Sequence, residues 1–177
     1  CLGATGLVVK PAHDGSSIGV TKLAEPTVAA LRKALEDAAG VRGDEVLVEE
    51  YIHGREFTVA VLDGRALPVI EIRAPEGDYD FNNKYFGDAV HYDCPAKLED
   101  EAAATLGSLC ERAFAAVGAR GWSRIDALQR ADGSFALLEI NTSPGMTPHS
   151  LVPMAARAVG MDYADLCLKV LSLARCD

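Results

Sequence analysis

Two Asp-Gly pairs, each flanked by apolar runs, place the strongest restriction on how this chain can fold. The pairs are Asp63-Gly64 and Asp132-Gly133, and the flanking runs are 57–62, 66–72, 122–130 and 134–140. Asp-Gly between alternating apolar runs is the strongest short-range signal for a β-hairpin. The chain should therefore contain two antiparallel hairpins, and Pro68 suggests an edge position for the strand that carries it.

Helical periodicity occurs before and after these hairpins. Residues 101–117 and 163–174 repeat apolar side chains at the i, i+3, i+4, i+7 spacing, and 151–159 is a shorter helical run. A further helix should begin at Pro26 and end at Gly40, with Val28, Leu31, Leu35 and Ala38 on its buried face. We therefore expect an α+β fold, in which helices flank a mainly antiparallel sheet. The polar, aromatic segment 74–93 should be a functional loop.

Charge and apolar content exclude several classes of protein. The chain carries 17 basic and 26 acidic residues, a net charge of −9, which argues against a nucleic-acid partner. No apolar run approaches the roughly 20 residues that cross a bilayer, so we expect no membrane partner. The five cysteines form no C-x-x-C pair, which favours reduced thiols in the cytoplasm.

The second hairpin places charged side chains on one face. With a two-residue loop at Asp132-Gly133, Asp126 lies opposite Glu139 and Arg124 lies opposite Asn141. The other face should then be the core face, formed by Ile125, Ala127, Leu138 and Ile140. A register error of one residue would separate the two carboxylates.

Opposed carboxylates repel unless a proton or a cation lies between them. No basic residue is expected between Asp126 and Glu139 on their own strands. Two carboxylates and the Asn141 amide offer only oxygen ligands, which suit Mg²⁺ or Mn²⁺. The alternative is a solvated strand face on which Arg124 neutralises the acids.

A small-residue loop follows an apolar strand near the start of the chain. Lys10 ends the apolar run 7–9, and the loop DGSSIG comes shortly after it. Its backbone amides could surround an anion, although an ordinary turn is the alternative. Lys84, in the long loop, could contribute to the same anion site, as could Arg124.

Six sequence blocks resemble, in order, those of the D-alanine–D-alanine ligase family of the ATP-grasp superfamily. They are VVKPAHDGSSIGV, EEYIHGREFTVAVL, NNKYF, WSRID, LLEINTSPGMTPHSLVPMAAR and the terminal helix. The resemblance covers only the later part of the family's chain, so it implies an ATP-grasp fold truncated at its N-terminus. It assigns 1–54 to a remnant of the central ATP-grasp subdomain and 55–177 to the C-terminal catalytic subdomain.

The resemblance implies an ATP-dependent ligase that joins two D-alanines through an acyl phosphate for peptidoglycan precursor synthesis. ATP and two Mg²⁺ or Mn²⁺ ions would be required, and the full-length enzyme would be a cytoplasmic homodimer. The alternatives are a D-alanine–D-lactate ligase, another ATP-grasp carboxylate ligase, or a non-catalytic nucleotide- or metal-binding fragment. Tyr85, directly after Lys84, favours the amine acceptor over lactate.

The resemblance also implies a role for individual residues. For ATP these are Lys10 and Lys84 on the phosphates, Glu56 on the ribose, Glu49, Glu50, Tyr51 and Ile52 around the adenine, and Leu138 as a further contact. Asp126, Glu139 and Asn141 would hold the metal ions. Catalysis would use Arg124 and Gly145 at the oxyanion, with Ser16 hydrogen-bonding towards Tyr85 over the site. Ser150 and Leu151 would bind the carboxylate of the second D-alanine.

Overall fold

The structure, a computed structural model, describes residues 6–13, 15, 17–42, 45–73 and 90–175. Within these residues the chain forms two compact units. The first unit contains the described residues up to His53 together with Val90, and the second runs from Gly54 to Arg73 and from His91 onward. That these units are the two ATP-grasp subdomains expected at 1–54 and 55–177 stays a prediction.

The described residues of the first unit form a small sheet with one helix. Its strands are β1 (Leu7–Pro11), β2 (Thr21–Leu23) and β3 (Val46–Glu50), and its helix is α1 (Val28–Arg42). The strand order is β2-β1-β3, with both pairings antiparallel. Its core contains Val9, Ala34 and Ala38, with Leu31 packed against them.

The buried face predicted for α1 was only half right. Leu31, Ala34 and Ala38 form the buried stripe, whereas Val28 is 81% exposed and Leu35 is also exposed. At 100° per residue, positions 28 and 35 lie to one side of the 31/34/38 stripe, and the small sheet covers only that stripe. Gly40 lies inside the helix rather than ending it.

The second unit is built on a six-stranded antiparallel sheet. Its strands are β4 (Glu56–Leu62), β5 (Arg65–Ala66), β6 (Ile70–Arg73), β7 (His91–Asp93), β8 (Trp122–Gln129) and β9 (Phe135–Asn141). The order is β7-β6-β4-β8-β9, and β5 pairs with β4. Side-chain alternation along β4 puts Phe57, Val59 and Val61 on one face and Ala60 and Leu62 on the other.

Helices cover both faces of this sheet. Helix α2 (Asp100–Ala116) buries Leu106, Cys110 and Phe114 against the Phe57 face. Helices α3 (Leu151–Ala158) and α4 (Tyr163–Leu173) cover the part of the other face that carries Ala60, Leu62 and Ile70. Asp162 caps α4, because its side chain accepts a hydrogen bond of 2.8 Å from the backbone N–H of Asp165. The predicted α+β fold is confirmed.

Three local predictions need correction. Pro68 lies between β5 and β6, and β6 is an interior strand because β7 pairs with its outer edge. Part of the predicted loop 74–93 is strand β7, and 74–89 lie outside the described residues. The helix predicted over 101–117 ends at Ala116, and Val117, which follows it, is 62% exposed. None of the described helices is long and apolar enough to cross a membrane.

Candidate active site

The β8–β9 hairpin brings the predicted residues together, but its loop and its strand register differ from the prediction. Asp126 pairs with Glu139 and Arg124 with Asn141, as predicted. The loop is nevertheless residues 131–133, because the Arg130 N–H donates to the Ser134 carbonyl at 2.8 Å. That longer loop shifts the register by one residue, and a β-bulge beside Asp126 shifts it back. The two departures cancel at the carboxylates.

The bulge also changes the position of Leu138. Ala127 pairs with Leu137, so Leu138 is the additional residue on β9. Leu137, Phe135 and Ile140 pack against the core that contains Ile125 and Ala127, whereas Leu138 does not join it. The prediction that Leu138 lies on the core face was therefore wrong, and its proposed ATP contact does not compete with core packing.

Asp126 accepts four hydrogen bonds and is almost fully buried. It is 7% exposed, and its Oδ1 accepts from Thr58 Oγ1 at 2.6 Å and from Arg124 Nε at 2.9 Å. Its Oδ2 accepts from Arg124 Nη2 at 2.7 Å and from Asn141 Nδ2 at 3.2 Å. A carboxylate offers about four lone-pair sites, so these four donors occupy all of them.

A basic residue, Arg124, contacts one of the two carboxylates. Arg124 binds both oxygens of Asp126, because side chains two residues apart on one strand share a face. This is the neutralising contact of the alternative interpretation. It reaches both oxygens of Asp126, while Glu139 accepts a hydrogen bond from Asn141.

Asn141 connects the two carboxylates. Its Nδ2 lies 3.2 Å from Asp126 Oδ2 and 3.1 Å from Glu139 Oε1. Three oxygen-bearing groups therefore meet around one point, and Glu139 is exposed to an arriving ligand. Within the described residues no three His, Cys, Asp or Glu side chains cluster to hold a metal, so a cation here would depend on the Asn141 amide. The donor set fits a hard cation.

Thr58 is a site residue that sequence reasoning missed. It lies opposite Asp126 in the β4–β8 pairing and is buried. Strands β4 and β8 are far apart in sequence, and no local pattern joins them. An alternating Thr within the apolar run 57–62 was the only available signal.

The segment after β9 surrounds Ser150. The Ser150 Oγ accepts from the Thr147 N–H at 3.0 Å and lies 2.9 Å from Thr147 Oγ1. Gly145 approaches it so closely that a Cβ there would lie 3.1 Å from Ser150 Oγ. Leu151 is the first residue of α3, and Ser150 is its N-cap. The structure thus brings together Gly145, Ser150 and Leu151 at one helix N-terminus.

In the first unit, the predicted adenine contacts lie on β3 and directly after it, and Lys10 lies on β1. Lys10 Nζ lies 2.6 Å from Glu49 Oε2, and the Tyr51 ring lies 4.0 Å from the His53 ring. Glu50 is exposed and Ile52 is half-buried. Glu56, the predicted ribose contact, is the first residue of β4 in the second unit. Ser16, Lys84 and Tyr85 lie outside the described residues.

Comparison with known proteins gives one consistent result. Residues 4–172 match the protein family described as D-ala D-ala ligase C-terminus. The chain is 52% identical over 174 residues to a D-alanine–D-alanine ligase of Bordetella petrii, and 52% identical over 169 residues to that of Aromatoleum aromaticum. These alignments cover 96% of this chain in both cases, and 52% and 54% of the respective relatives.

Solved structures agree with the sequence matches. A D-alanine–D-alanine ligase from Bacillus anthracis superposes with a TM-score of 0.80 at 32% identity, covering 95% of this chain and 54% of that one. The same enzyme complexed with ATP gives a TM-score of 0.76 at 28% identity, covering 95% and 50%. The chain belongs to the D-alanine–D-alanine ligase C-terminal family, which confirms the resemblance seen in the sequence. It spans about half the length of the curated relatives it matches.

Proposed function

We propose that this chain forms the catalytic part of an ATP-dependent ligase that joins two D-alanines. The supporting observation is the meeting of Asp126, Glu139 and Asn141 beside Arg124, in a chain of this family. ATP would convert the carboxylate of the first D-alanine to an acyl phosphate. The amine of the second D-alanine would then displace phosphate, giving D-alanyl-D-alanine, ADP and phosphate.

Asp126, Glu139 and Asn141 would hold the two Mg²⁺ or Mn²⁺ ions. When bound, such cations neutralise the charge on ATP phosphates and on the oxygens that become negative during transfer. The support is chemical: all three groups can supply oxygen ligands, and the Asn141 amide lies within hydrogen-bonding distance of both carboxylates.

Arg124 would stabilise the oxyanion that develops at the reacting carbon, together with the backbone N–H of Gly145. Its guanidinium is held in one orientation by two hydrogen bonds to Asp126 and is about one-fifth exposed. A donor fixed in advance loses little free energy to reorganisation when negative charge develops.

The carboxylate of the second D-alanine would bind at Ser150 and Leu151. These residues begin α3, where unpaired N–H groups and the helix dipole favour an anion. Thr147 holds the Ser150 hydroxyl in place through two contacts, and the missing side chain of Gly145 leaves room beside it.

The remaining assignments concern ATP. Lys10 would bind phosphate after exchanging its contact with Glu49 for a phosphate oxygen, and Glu56 would bind the ribose. Glu49, Glu50, Tyr51 and Ile52 would surround the adenine, with Leu138 as a further apolar contact. Ser16, Lys84 and Tyr85 stay predictions, and Tyr85 supports D-alanine rather than D-lactate as acceptor.

Biologically, the reaction would supply a peptidoglycan precursor for the cell wall from the cytoplasm. The complete ligase would act as a homodimer, without nucleic-acid or membrane partners. These points rest on the family and on the acidic net charge of −9.

A chimaeric ligase tests the proposal directly. Residues 4–172 of this chain replace the matching part of the Bordetella petrii ligase, and phosphate release is measured with ATP, Mg²⁺ and D-alanine. We expect turnover that depends on all three, because the two chains are 52% identical over this region. The matched control is the same chimaera with Asp126→Asn.

Each outcome separates one candidate function. Phosphate release that requires D-lactate with D-alanine would indicate a depsipeptide ligase. ATP binding by a well-folded chimaera without turnover would indicate a non-catalytic module. Equal turnover with and without Asp126→Asn would exclude the assigned cation site.

A further inference from the structure

The asparagine between the two carboxylates faces them with its nitrogen rather than its oxygen. Both neighbours, Asp126 and Glu139, only accept hydrogen bonds when ionised, and they lie 3.2 and 3.1 Å from Asn141 Nδ2. An amide nitrogen carries two protons, one for each carboxylate. The opposite orientation would place three oxygens against one another. In this state Asn141 cannot offer its oxygen to a cation at the same point.

From this arrangement we infer that Asn141 is a two-state residue. Without a cation its amide joins the two carboxylates as a donor, and cation loading turns the amide over so that Oδ1 becomes the ligand. The inference rests on the cation site of the proposed function and concerns a step which that function does not include.

The hydrogen bonds of Asp126 indicate which contact an arriving cation would displace. Its four acceptor sites are filled, so a cation can bind only after one donor leaves. Arg124 is charged and bidentate, and the Thr58 hydrogen bond is short at 2.6 Å. The Asn141 contact, at 3.2 Å, is the longest of the four and its donor is uncharged. Asn141 is therefore the donor that costs least to displace.

Rotation of the Asn141 amide changes the contacts of both carboxylates at the same time. The rotation removes a donor from Asp126 and from Glu139, and supplies a third oxygen at the point where the two meet. Arg124 keeps its contacts with Asp126 throughout, which leaves its orientation towards substrate unchanged. Cation loading is then coupled to a single side-chain torsion.

The composition of the chain makes this testable by NMR. It contains only three asparagines, Asn82, Asn83 and Asn141, so ¹⁵N-asparagine labelling gives three side-chain amide pairs. The pair that disappears in Asn141→Asp belongs to Asn141. In EDTA we expect both of its protons downfield of those of free asparagine. On titration with MgCl₂, alone or with ATP, both should return towards the free value as calorimetry records binding.

Thermal unfolding provides a second readout. Asn141→Asp keeps an oxygen and removes the donor, so in EDTA its Tm should fall by about 5 °C. Its rise in Tm with MgCl₂ should exceed that of the parent chain, because no donor competes with the cation. Thr142→Asp adds the same charge at the next, exposed residue. This control should lose less than about 2 °C in EDTA and keep the parent's response to Mg²⁺.

Three results would overturn the inference. The first is that the Asn141 amide protons have the chemical shifts of free asparagine in EDTA. The second is that these protons stay downfield while calorimetry shows that Mg²⁺ is bound. The third is that Mg²⁺ does not bind, with or without ATP. Identical thermal behaviour of the two Asp variants would also contradict it. Turnover by the chimaera is measured separately, so the ligase proposal and the amide inference can fail independently.

Discussion

Thr58 Oγ1 lies 2.6 Å from Asp126 Oδ1, and both residues are buried in the centre of the six-stranded sheet. The hydroxyl comes from β4 and the carboxylate from β8, at directly opposed positions. Asp126 is therefore positioned by Arg124 on its own strand, by Thr58 on β4 and by Asn141 on β9. The Thr58 contact makes the β4–β8 pairing part of the candidate site.

Removing that hydroxyl should destabilise the chain. Thr58→Val keeps the side-chain shape and deletes the donor to Asp126, which should cost about 1.5–3 kcal/mol because the acceptor is charged and buried. Thr58→Ser keeps the hydroxyl and should cost less. Urea unfolding of the three proteins measures the difference, and equal losses for Val and Ser would show that the methyl group, not the hydrogen bond, matters.

Removing the hydroxyl of Ser123, unlike that of Thr58, should not destabilise the chain. Its hydroxyl is the only fully buried side-chain oxygen or nitrogen without a hydrogen-bond partner in the described part of the chain. Ser123→Ala removes an unsatisfied polar group, so stability should stay the same or rise by about 1 kcal/mol. Thr58→Val, which deletes a satisfied hydroxyl from the same sheet, is the control. A clear loss of stability in Ser123→Ala would reveal a partner for this hydroxyl.

Glu139→Gln separates stability from catalysis. The Gln side chain can still accept from Asn141, so the metal-free melting temperature should not fall. Mg²⁺-dependent turnover of the chimaera should drop by orders of magnitude, because a charged metal ligand is lost. Glu36→Gln, on an exposed position of α1, should change neither quantity. A lower metal-free melting temperature with near-normal turnover would make Glu139 a structural residue.

Acid should weaken the second unit through Glu71. Arg55 donates two hydrogen bonds of 2.8 Å to this buried carboxylate, which lowers the pKa of Glu71 below its usual value. Because the folded-state pKa is lower, the stabilisation is complete above the ordinary pKa of about 4.3 and is lost as pH falls through the folded-state value.

A pH series of melting temperatures for the parent and Glu71→Gln checks this. At pH 7 the variant should be less stable by about 2 kcal/mol, since Arg55 and Arg73 lose a charged partner. The difference should shrink below pH 4. A constant difference down to pH 3 would show that the charge of Glu71 contributes nothing.

Two glycines should respond to alanine in opposite directions. A Cβ at Gly54 would lie 1.7 Å from the Gln129 carbonyl oxygen, so Gly54→Ala must displace backbone and should cost several kcal/mol. Gly40 lies within α1 with open space around it, so Gly40→Ala should stabilise by about 0.5–1 kcal/mol. Chemical denaturation of both variants measures the contrast. A small loss of stability in Gly54→Ala would show that the backbone of β8 can shift at Gln129 at little cost.

The sequence by itself determined the elements and the pairing at the site. Asp-Gly turns and the period of apolar residues predicted the hairpins, α2 and α4, because these signals depend on neighbours in the chain. The same pattern predicted Asp126 opposite Glu139. It reached that result with a loop one residue too short, and the bulge that corrects the register has no local signature.

Only the tertiary structure decided what surrounds the carboxylates. Thr58 reaches Asp126 across two strands that are distant in sequence, and these strands are neighbours in a sheet whose two faces are covered by different helices. Leu138 lies outside the core because, after the bulge, Leu137 occupies the core-facing position. Local patterns specify which face a side chain shares, whereas packing between distant segments specifies its partners.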